Sequence, residues 1–315
     1  MKTIVLIPVK NEDWIIKNTL TNITPYVDLV IIADQKSTDK TVEICKKFSK
    51  VKIIDNPYVG HSNKVRWLLL EEARKNGYNN LIICLDADEI ISPQGIIEIK
   101  NYIASGKAVA GDVFKFRWIQ LWSEVKKYRN DGVWKNSIKN IAFIDNHCIN
   151  EYKNDFVIND HTSRVPNTKI NKEILISYPI LHFHFLAEKR TQLKQAWYRC
   201  QELIKGDRNA KRINNTYRVT LSPKSIETFE VPPKWYTGLI LPTKFDNLTN
   251  CWYFEEIKKL FEKYDVTFFE DLQIWHITEL KIEFIKKNNR EPQSKTYPNW
   301  LVFLNEIKNK IKCHF

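Results

Sequence analysis

The stretch of the sequence best suited to chemistry is an apolar run that ends in three closely spaced carboxylates. Residues 82–91 read IICLDADEII, which places Asp86, Asp88 and Glu89 directly after a strand-like segment. Continuous apolar runs are typical of buried parallel strands, and open α/β sheets bind ligands beyond the carboxyl ends of their strands. If the extended conformation continues, Asp86 and Asp88 face the same way and can hold one divalent cation. The alternative is an acidic helix start, because Ser92 and Pro93 follow and helix N-termini favour carboxylates.

Polar side chains also follow the first two predicted strands. Asn11 and Glu12 come after the strand predicted at 4–9, and Asp34 and Asp39 come after the strand predicted at 27–33. The turn at 8–12 offers backbone groups to a planar base. Asp34 can accept from a base imide or a ribose hydroxyl, and Asp39 either does the same or caps its helix. Together with a cation at Asp88, these parts describe a nucleotide-diphosphate site in which the leaving group sits on a metal.

The alternation of strand and helix signals continues to about residue 108. Predicted strands at 4–9, 27–33, 51–54 and 82–85 alternate with short helices, the last of them covering about 62–76. This pattern predicts a mostly parallel sheet with helices on both faces. Further strands are predicted at 113–122, at 141–149 and within 174–185, and an amphipathic helix follows at 193–204. The segment 253–312 reads as helices.

Composition narrows the class of protein. The chain has 315 residues, 43% of them hydrophobic and 27% charged, which is an ordinary globular balance. No apolar stretch approaches the roughly 20 residues needed to span a bilayer. The N-terminal residues run straight into an apolar strand without a signal-peptide cleavage site. Because the six cysteines show no Cys-x-x-Cys spacing, we expect neither a zinc site nor a disulfide framework. A cytoplasmic location is therefore expected, and peripheral contact with a membrane is left open.

The net charge of +12 is spread along the chain, with one concentrated stretch. Residues 187–225 hold ten basic and three acidic side chains. Such a segment favours phosphates, anionic lipid headgroups or nucleic acid as partners. It is equally compatible with a solvated basic face in a lysine-rich protein.

Three short motifs together resemble a known family. They are IPVKNE at 7–12, DQKSTDKT at 34–41 and LDADE at 85–89. In this order they resemble a family 2 glycosyltransferase of the GT-A fold, in the branch that pairs an Asp-x-x-Ser-Thr-Asp-x-Thr loop with a Leu-Asp-Ala-Asp-Glu motif. The resemblance covers about residues 1–120. It implies a nucleotide-sugar donor, with Asp34 near the base, Asp86 near the ribose and diphosphate, and Asp88 on a Mn²⁺ or Mg²⁺ ion.

The resemblance also implies a division of the chain and a set of binding positions. We expect a GT-A domain at 1–220, with its nucleotide-sugar half at about 1–110 and its acceptor half at about 111–220, and a mainly helical region at 221–315. Many relatives carry a second acidic residue where this chain has Gln35. That difference leaves the nucleotide open, with UDP the first expectation. The positions expected to bind the nucleotide are Pro8, Val9, Asn11, Glu12, Asp34, Asp39, Lys64, Arg66, Asp86 and Ala87.

Lys64 and Arg66 belong to a segment, GHSNKVR at 60–66, that resembles the family's loop-to-helix approach to the nucleotide. Either side chain can meet the base or a phosphate. Either can equally be a surface cation.

Sugar transfer also needs a general base for the acceptor hydroxyl. The resemblance implies inversion by direct displacement, so one base is expected on the acceptor side. Asn150 and Glu151 resemble the family's His-Glu step, with asparagine in place of histidine. Glu151 is therefore the first candidate, and Asp145 and His147 are the alternatives. All three can also be loop surface residues.

Two histidines alternate with aromatic residues in the segment LHFHF at 181–185. In a strand, His182 and His184 share one face and the phenylalanines share the other. Neutral imidazole is a good ligand for Mn²⁺-class ions, and the resemblance implies a late histidine that returns to the metal or the diphosphate. The alternative is a buried, hydrogen-bonded histidine. Lys189 and Arg190 follow and are placed to form a basic wall over the diphosphate.

The acceptor is less defined than the donor. A hydroxyl of a glycan, glycolipid or lipid-linked acceptor is expected, and a nucleic-acid base is the alternative suggested by the basic segment. A nucleotidyltransferase also fits strand-end carboxylates, although the first loop lacks the glycine-rich phosphate cradle of that class. A binding protein without catalysis fits poorly, because Asp86 and Asp88 are both retained. Aromatic residues near the C-terminus suit either an acceptor cleft or a helical core: Trp235, Tyr236, Trp252, Tyr253, Trp275 and Trp300.

Overall fold

The fold is built on one large mixed sheet. The computed structural model describes residues 1–58, 64–147, 164–165, 170–218, 226–242, 245 and 251–293. Its first half is a parallel sheet in the order β4-β1-β2-β3. The strands of this half are β1 (Thr3–Val9), β2 (Leu29–Asp34), β3 (Val51–Asp55) and β4 (Leu81–Cys84). The helices that accompany them are α1 (Ile16–Ile23), α2 (Thr41–Cys45) and α3 (Lys64–Arg74).

Alternation along β1 explains why helices cover both faces of this sheet. Val5, Ile7 and Val9 belong to the same buried cluster as the apolar stripe of α1. Ile4 and Leu6 point to the other face, into a cluster that includes Leu69 and Leu70 of α3. Since successive side chains of a strand point to opposite faces, an unbroken apolar run requires a cover on each side. The predicted parallel sheet flanked by helices is confirmed.

The second half of the sheet is antiparallel. Beyond β4 the order is β8, β6, β7 and β11, each antiparallel to its neighbour. A short strand β5 (Glu89–Ile91) pairs with β10, and β10 also runs parallel to β6. The strands of this half are β6 (Val113–Trp122), β7 (Glu124–Arg129), β8 (Ile138–Ile144), β9 (Glu173–Leu175), β10 (Ile180–Phe185) and β11 (Thr228–Glu230). The predicted change of rhythm after residue 108 marks this switch from parallel to antiparallel pairing.

The C-terminal helices form a second core. Helix α5 packs on α7, and buried side chains of α5 such as Leu193 and Cys200 share a cluster with Ile257 and Phe261 of α7. The remaining helices are α4 (Pro93–Ala104), α5 (Glu188–Lys205), α6 (Ala210–Thr216), α7 (Trp252–Tyr264) and α8 (Thr278–Asn288). The helical core therefore begins within α5. The division of the chain near residue 220 stays a prediction.

Several local predictions are corrected. The polar residue Asn11, which follows the first strand, adopts a left-handed backbone with φ of 54°, and α1 begins five residues later at Ile16. The strand predicted at 141–149 ends at Ile144. No helix in the described part of the chain is both long and apolar enough to cross a bilayer. Cys45, Cys84, Cys200 and Cys251 are all free and buried, and Cys148 and Cys313 lie outside the described residues.

Candidate active site

The acidic motif forms a tight turn between β4 and β5. Asp86, Ala87 and Asp88 lie between the last residue of β4 and the first residue of β5. The Thr19 hydroxyl of α1 donates a hydrogen bond of 2.6 Å to the Ala87 carbonyl and pins the turn to the first βα unit. Ser92 then caps α4 by accepting from the Gln94 amide at 3.2 Å. The helix start suggested by Ser92 and Pro93 is present, but α4 begins after the acidic turn, so the carboxylates of the turn are not part of the helix.

Strand β10 brings the two histidines to this turn. His182 pairs with Glu89 in the antiparallel β5–β10 ladder, and the Phe183 amide donates to the Asp88 carbonyl at 2.9 Å. His182 Nε2 lies 3.4 Å from Asp88 Oδ1, and His184 Nδ1 lies 3.8 Å from Asp88 Oδ2. Ligand atoms of the three side chains all fall within 4.8 Å of one another. We call these three residues, Asp88, His182 and His184, the triad. The predicted sharing of one strand face by the histidines is confirmed.

The ring of His182 is held in one orientation by its surroundings. The Gln120 amide nitrogen donates to the carbonyls of Leu121 and His182 at 3.1 and 3.2 Å, so its oxygen points to the imidazole. That oxygen lies 2.7 Å from His182 Nδ1, which must therefore carry the proton. Trp118 stacks on the other side, with ring centroids 4.5 Å apart. Nε2 faces Asp88 Oδ1 at 3.4 Å. With the proton held on Nδ1, the neutral tautomer would offer the Nε2 lone pair to a metal ion.

The side chains of the triad offer donor atoms for a bound cation. Burial alone would raise the pKa of Asp88, but His182, Lys194 and His184 outweigh it and hold that pKa well below its usual range. Burial, followed by the charge of Lys194, holds the pKa of His184 well below its usual range, so this imidazole is neutral. One carboxylate and two imidazoles make a mixed oxygen and nitrogen donor set. Such a set fits Mn²⁺ better than Mg²⁺, which prefers oxygen ligands.

Asp86 does not join the triad. Its Oδ1 accepts from Arg66 Nη2 at 2.5 Å, and its Oδ2 accepts from Arg164 Nη2 at 2.6 Å. Both arginines lower the pKa of Asp86 against the effect of burial. The expectation that Asp86 and Asp88 face one ion is therefore not met in this geometry. Arg66, expected to meet the nucleotide, instead holds Asp86 and the Leu85 carbonyl, and Lys64 is an exposed residue at the start of α3.

Arg164 joins the acidic motif to the core. Its guanidinium also contacts Glu89, with Nη2 at 2.8 Å from Oε1. Glu89 is fully buried and accepts from Trp118 Nε1 at 2.6 Å and from the Asp86 amide at 3.0 Å. A buried carboxylate needs such partners because unpaired charges are costly to desolvate. Glu89 is therefore a structural anchor that fixes the backbone of the acidic turn.

The loop after β2 is tied to the turn after β1. Val9 and Asp34 are register partners in adjacent parallel strands, so both lie at the carboxyl edge that carries the acidic turn. The Asn11 amide donates to the Ser37 hydroxyl at 2.9 Å, and the Thr38 amide donates to Asn11 Oδ1 at 2.7 Å. Asp34 is buried, and its Oδ2 accepts from the Ser37 amide at 3.1 Å. Its carboxylate keeps further acceptor capacity for a ligand.

Two of the expected nucleotide-binding residues have structural partners. Asp39 accepts from the amides of Thr41, the first residue of α2, at 2.9 Å and of Asp13 at 3.1 Å, so its carboxylate already binds two backbone donors, although Lys40 is the N-cap residue of α2. Glu12 accepts from Arg190 Nη2 at 2.6 Å and from Trp14 Nε1 at 2.6 Å. Burial raises the pKa of Glu12, Arg190 opposes that rise, and the charge of Asp88 adds to it.

Lys189 and Arg190, predicted to form a basic wall over the diphosphate, are both paired with carboxylates of the chain. Lys189 pairs with Glu279 of α8, away from the triad. Arg190 is 2% exposed and is held by Glu12. Lys194, one helical turn later on α5, is the cation that reaches the triad, with Nζ 3.4 Å from His184 Nδ1.

The candidate general bases do not gather at this edge. Strand β8 runs antiparallel to β4, so that Ile144 pairs with Leu81 at the start of β4. Asp145 and His147 therefore lie at the opposite edge of the sheet from the acidic turn. Asp145 is 2% exposed and forms a two-bond ion pair with Arg74, at 2.8 and 2.9 Å. This geometry removes Asp145 and His147 as candidates for the base, and Glu151 lies outside the described residues.

A family model described as glycosyl transferase family 2 matches residues 4–195, which is more than half of the chain and includes every element that carries the triad. The chain belongs to glycosyltransferase family 2. This assignment favours sugar transfer over the nucleotidyltransferase alternative. The GT-A type of fold expected from the motifs agrees with the observed sheet and its flanking helices.

Similarity of this glycosyltransferase to solved structures is low. One match is S. aureus TarS 1–349 in complex with UDP-GlcNAc, at 20% identity and a TM-score of 0.30, covering 39% of this chain and 34% of that one. Another is glucosyl-3-phosphoglycerate synthase from Mycobacterium tuberculosis with Mn²⁺, UDP and glucosyl-3-phosphoglycerate, at 18% identity and a TM-score of 0.29, covering 40% and 47%. The matches thus span less than half of either relative. No curated protein matches the sequence.

Three residues of this glycosyltransferase site escaped the sequence reasoning. Arg164 lies 75 positions from Glu89 and belongs to no local pattern. Gln120 sits within an otherwise apolar strand, and a buried amide there was a usable signal that a polar partner must face it. Lys194 was visible as a basic residue, and its spacing of four from Arg190 places both on one helix face.

Proposed function

We propose that the chain is a metal-dependent, inverting glycosyltransferase that moves a sugar from a nucleotide-diphosphate donor to a hydroxyl of a glycan, glycolipid or lipid-linked acceptor. The expected nucleotide is UDP. The observation that carries the proposal is the triad of Asp88, His182 and His184 at the carboxyl edge of the parallel strands, where Asp34 also lies. Ligands of open α/β sheets bind at this edge. The family assignment supplies the reaction class.

We assign each residue a role from its position in the site. Asp34 would accept from the base, in a loop that Asn11, Ser37 and Thr38 hold rigid. The triad would hold Mn²⁺, which when bound supplies Lewis-acid stabilisation of the departing diphosphate. Asp86 would face the ribose while its two arginines fix its position. Placement of these groups before the reaction is what makes their charges effective in the transition state.

Glu151 stays the proposed general base. Direct displacement at the anomeric carbon forms the new carbon–oxygen bond as the bond to the diphosphate breaks, and the base takes the hydroxyl proton. The two alternatives, Asp145 and His147, are at the wrong edge of the sheet. The position of Glu151 in the family motif supports its role.

The structure gives little support to a nucleic-acid acceptor. Arg190 and Arg199, within the basic segment 187–225, are buried. Lys189 pairs with Glu279, and Arg208 pairs with Glu202. These four cations of the basic segment are thus buried or paired, whereas a nucleic-acid groove needs exposed cations along a continuous path.

The proposal is tested by a donor hydrolysis screen. Purified protein is incubated with a panel of nucleotide sugars in Mn²⁺, in Mg²⁺ or with EDTA, and release of the nucleoside diphosphate is measured. We expect release from one or a few donors, faster with Mn²⁺ than with Mg²⁺, and none with EDTA. Asp88→Asn should abolish release while keeping the fold, and Asp207→Asn, in the exposed loop after α5, is the matched control. Full activity in EDTA, or in the Asp88 variant, would refute the metal-dependent mechanism.

A further inference from the structure

Lys194 places a positive charge against the triad, and its position creates a conflict. Its Nζ lies 3.4 Å from His184 Nδ1. The same nitrogen faces Asp88 Oδ2 at 3.8 Å. A neutral imidazole nitrogen has one lone pair, so it can accept from an ammonium or bind a metal, and not both at once. The lone pair that Lys194 uses is the one that a cation in the triad needs.

The position of Lys194 on α5 holds its ammonium beside the triad. It projects from the same face of α5 as Arg190, which is already committed to Glu12. Its ammonium lies 6.0 Å from the centre of the Tyr198 ring. When a divalent cation occupies the triad, Lys194 loses its acceptor and also faces a like charge. An anion between the two would relieve both effects.

We propose that Lys194 and the divalent cation compete for His184 until the diphosphate of the donor arrives, and that Lys194 then donates to a phosphate oxygen and shares the charge of the leaving group. This inference rests on the proposed function. It makes binding of the metal and the diphosphate cooperative, because each removes an obstacle to the other. As the carbon–oxygen bond breaks, its electron pair stays on the diphosphate, and Lys194 keeps its proton while stabilising that oxygen by a charge-assisted hydrogen bond.

The test measures binding of the metal and of the diphosphate separately. Isothermal titration follows Mn²⁺ alone, then UDP in saturating Mn²⁺, and then inorganic pyrophosphate in saturating Mn²⁺ as a probe that carries no base. The variants are Lys194→Met and, as a matched control on the same helix, Lys189→Met, whose side chain pairs with Glu279. Lys194→Gln repeats the measurement should the methionine variant fold poorly, as judged by thermal melting.

The expected changes for Lys194→Met have opposite signs. Mn²⁺ alone should bind about tenfold more tightly, because one positive charge a few ångströms from a divalent cation is gone. UDP and pyrophosphate should bind about 10- to 100-fold more weakly, the size of one charge-assisted hydrogen bond. Lys189→Met should change none of the three affinities beyond about twofold.

Three other results of these titrations would overturn the inference, and each has a different meaning. If Lys194→Met weakens Mn²⁺ and UDP together, the residue only supports the shape of the triad. If all three affinities stay at the wild-type values, Lys194 has no part in the site. If the wild-type protein binds neither Mn²⁺ nor UDP nor pyrophosphate, the proposed function itself fails and the inference falls with it.

Discussion

The orientation of His182 by Gln120 gives a sharp prediction about metal affinity. Gln120 is 1% exposed, and its amide oxygen accepts from His182 Nδ1 at 2.7 Å. Gln120→Met keeps the volume of the side chain and removes the acceptor, so the imidazole can rotate or change tautomer. Removal of such a supporting partner typically costs 10- to 100-fold in metal affinity, or about 1.4 to 2.7 kcal/mol. We expect Mn²⁺ affinity to fall by that factor.

The assay must separate orientation from stability. Electron paramagnetic resonance of free Mn²⁺ gives the dissociation constant, and urea unfolding in EDTA gives the free energy of unfolding without metal. Loss of the hydrogen bonds of Gln120 should lower that free energy by about 1 kcal/mol. Gln120→Glu keeps an oxygen acceptor for His182 and should lose less affinity than the methionine variant. A Gln120→Met protein with wild-type Mn²⁺ affinity would refute the assigned tautomer and the role of His182 as a ligand.

Three further predictions concern residues around the acidic turn and the opposite edge. Arg164→Met leaves the buried carboxylate of Glu89 without its ion-pair partner. The free energy of unfolding, measured by urea titration, should therefore fall by about 3 kcal/mol. A loss below about 1 kcal/mol would show that Arg164 does not bind Glu89. Asp145→Asn should lower the melting temperature and leave kcat within about twofold, since the residue lies far from the triad; a tenfold loss of kcat would restore it as a candidate base. Glu151→Gln should lower kcat about 100-fold or more, while the donor affinity measured by titration stays near the wild-type value. If the variant keeps the kcat of the wild type, Glu151 is not the base.

The N-terminal half of the fold could be predicted because its signals are local. The apolar runs that became β1, β2 and β4 are buried on both faces, and runs of that kind show in the sequence without knowledge of their neighbours. The triad was also within reach. Asp88 follows a strand, and the spacing of two between His182 and His184 places both on one face of another strand.

What could not be predicted depends on strand direction and on distant pairing. The segment around Asp145 reads as a strand with polar residues after it, but nothing local shows that the strand runs antiparallel to β4. That direction sends Asp145 to the opposite edge of the sheet from Asp88. Arg164 is similar, since its partners Asp86 and Glu89 lie more than seventy positions earlier. A local pattern carries no information about either relation.

Helix α5 links the helical C-terminal region to the candidate active site. One face of α5 carries Arg190 and Lys194 to Glu12 and the triad. Other positions on the same helix, Leu193 among them, are buried against α7 in the helical core. A rigid helix fixed on one side places the side chains of its other side, so the packing of α7 sets how closely Lys194 approaches His184. Through α5, the C-terminal region therefore sets the position of Lys194, the side chain that we propose meets the diphosphate, even though the residues of the triad come from strand β10 and from the turn between β4 and β5.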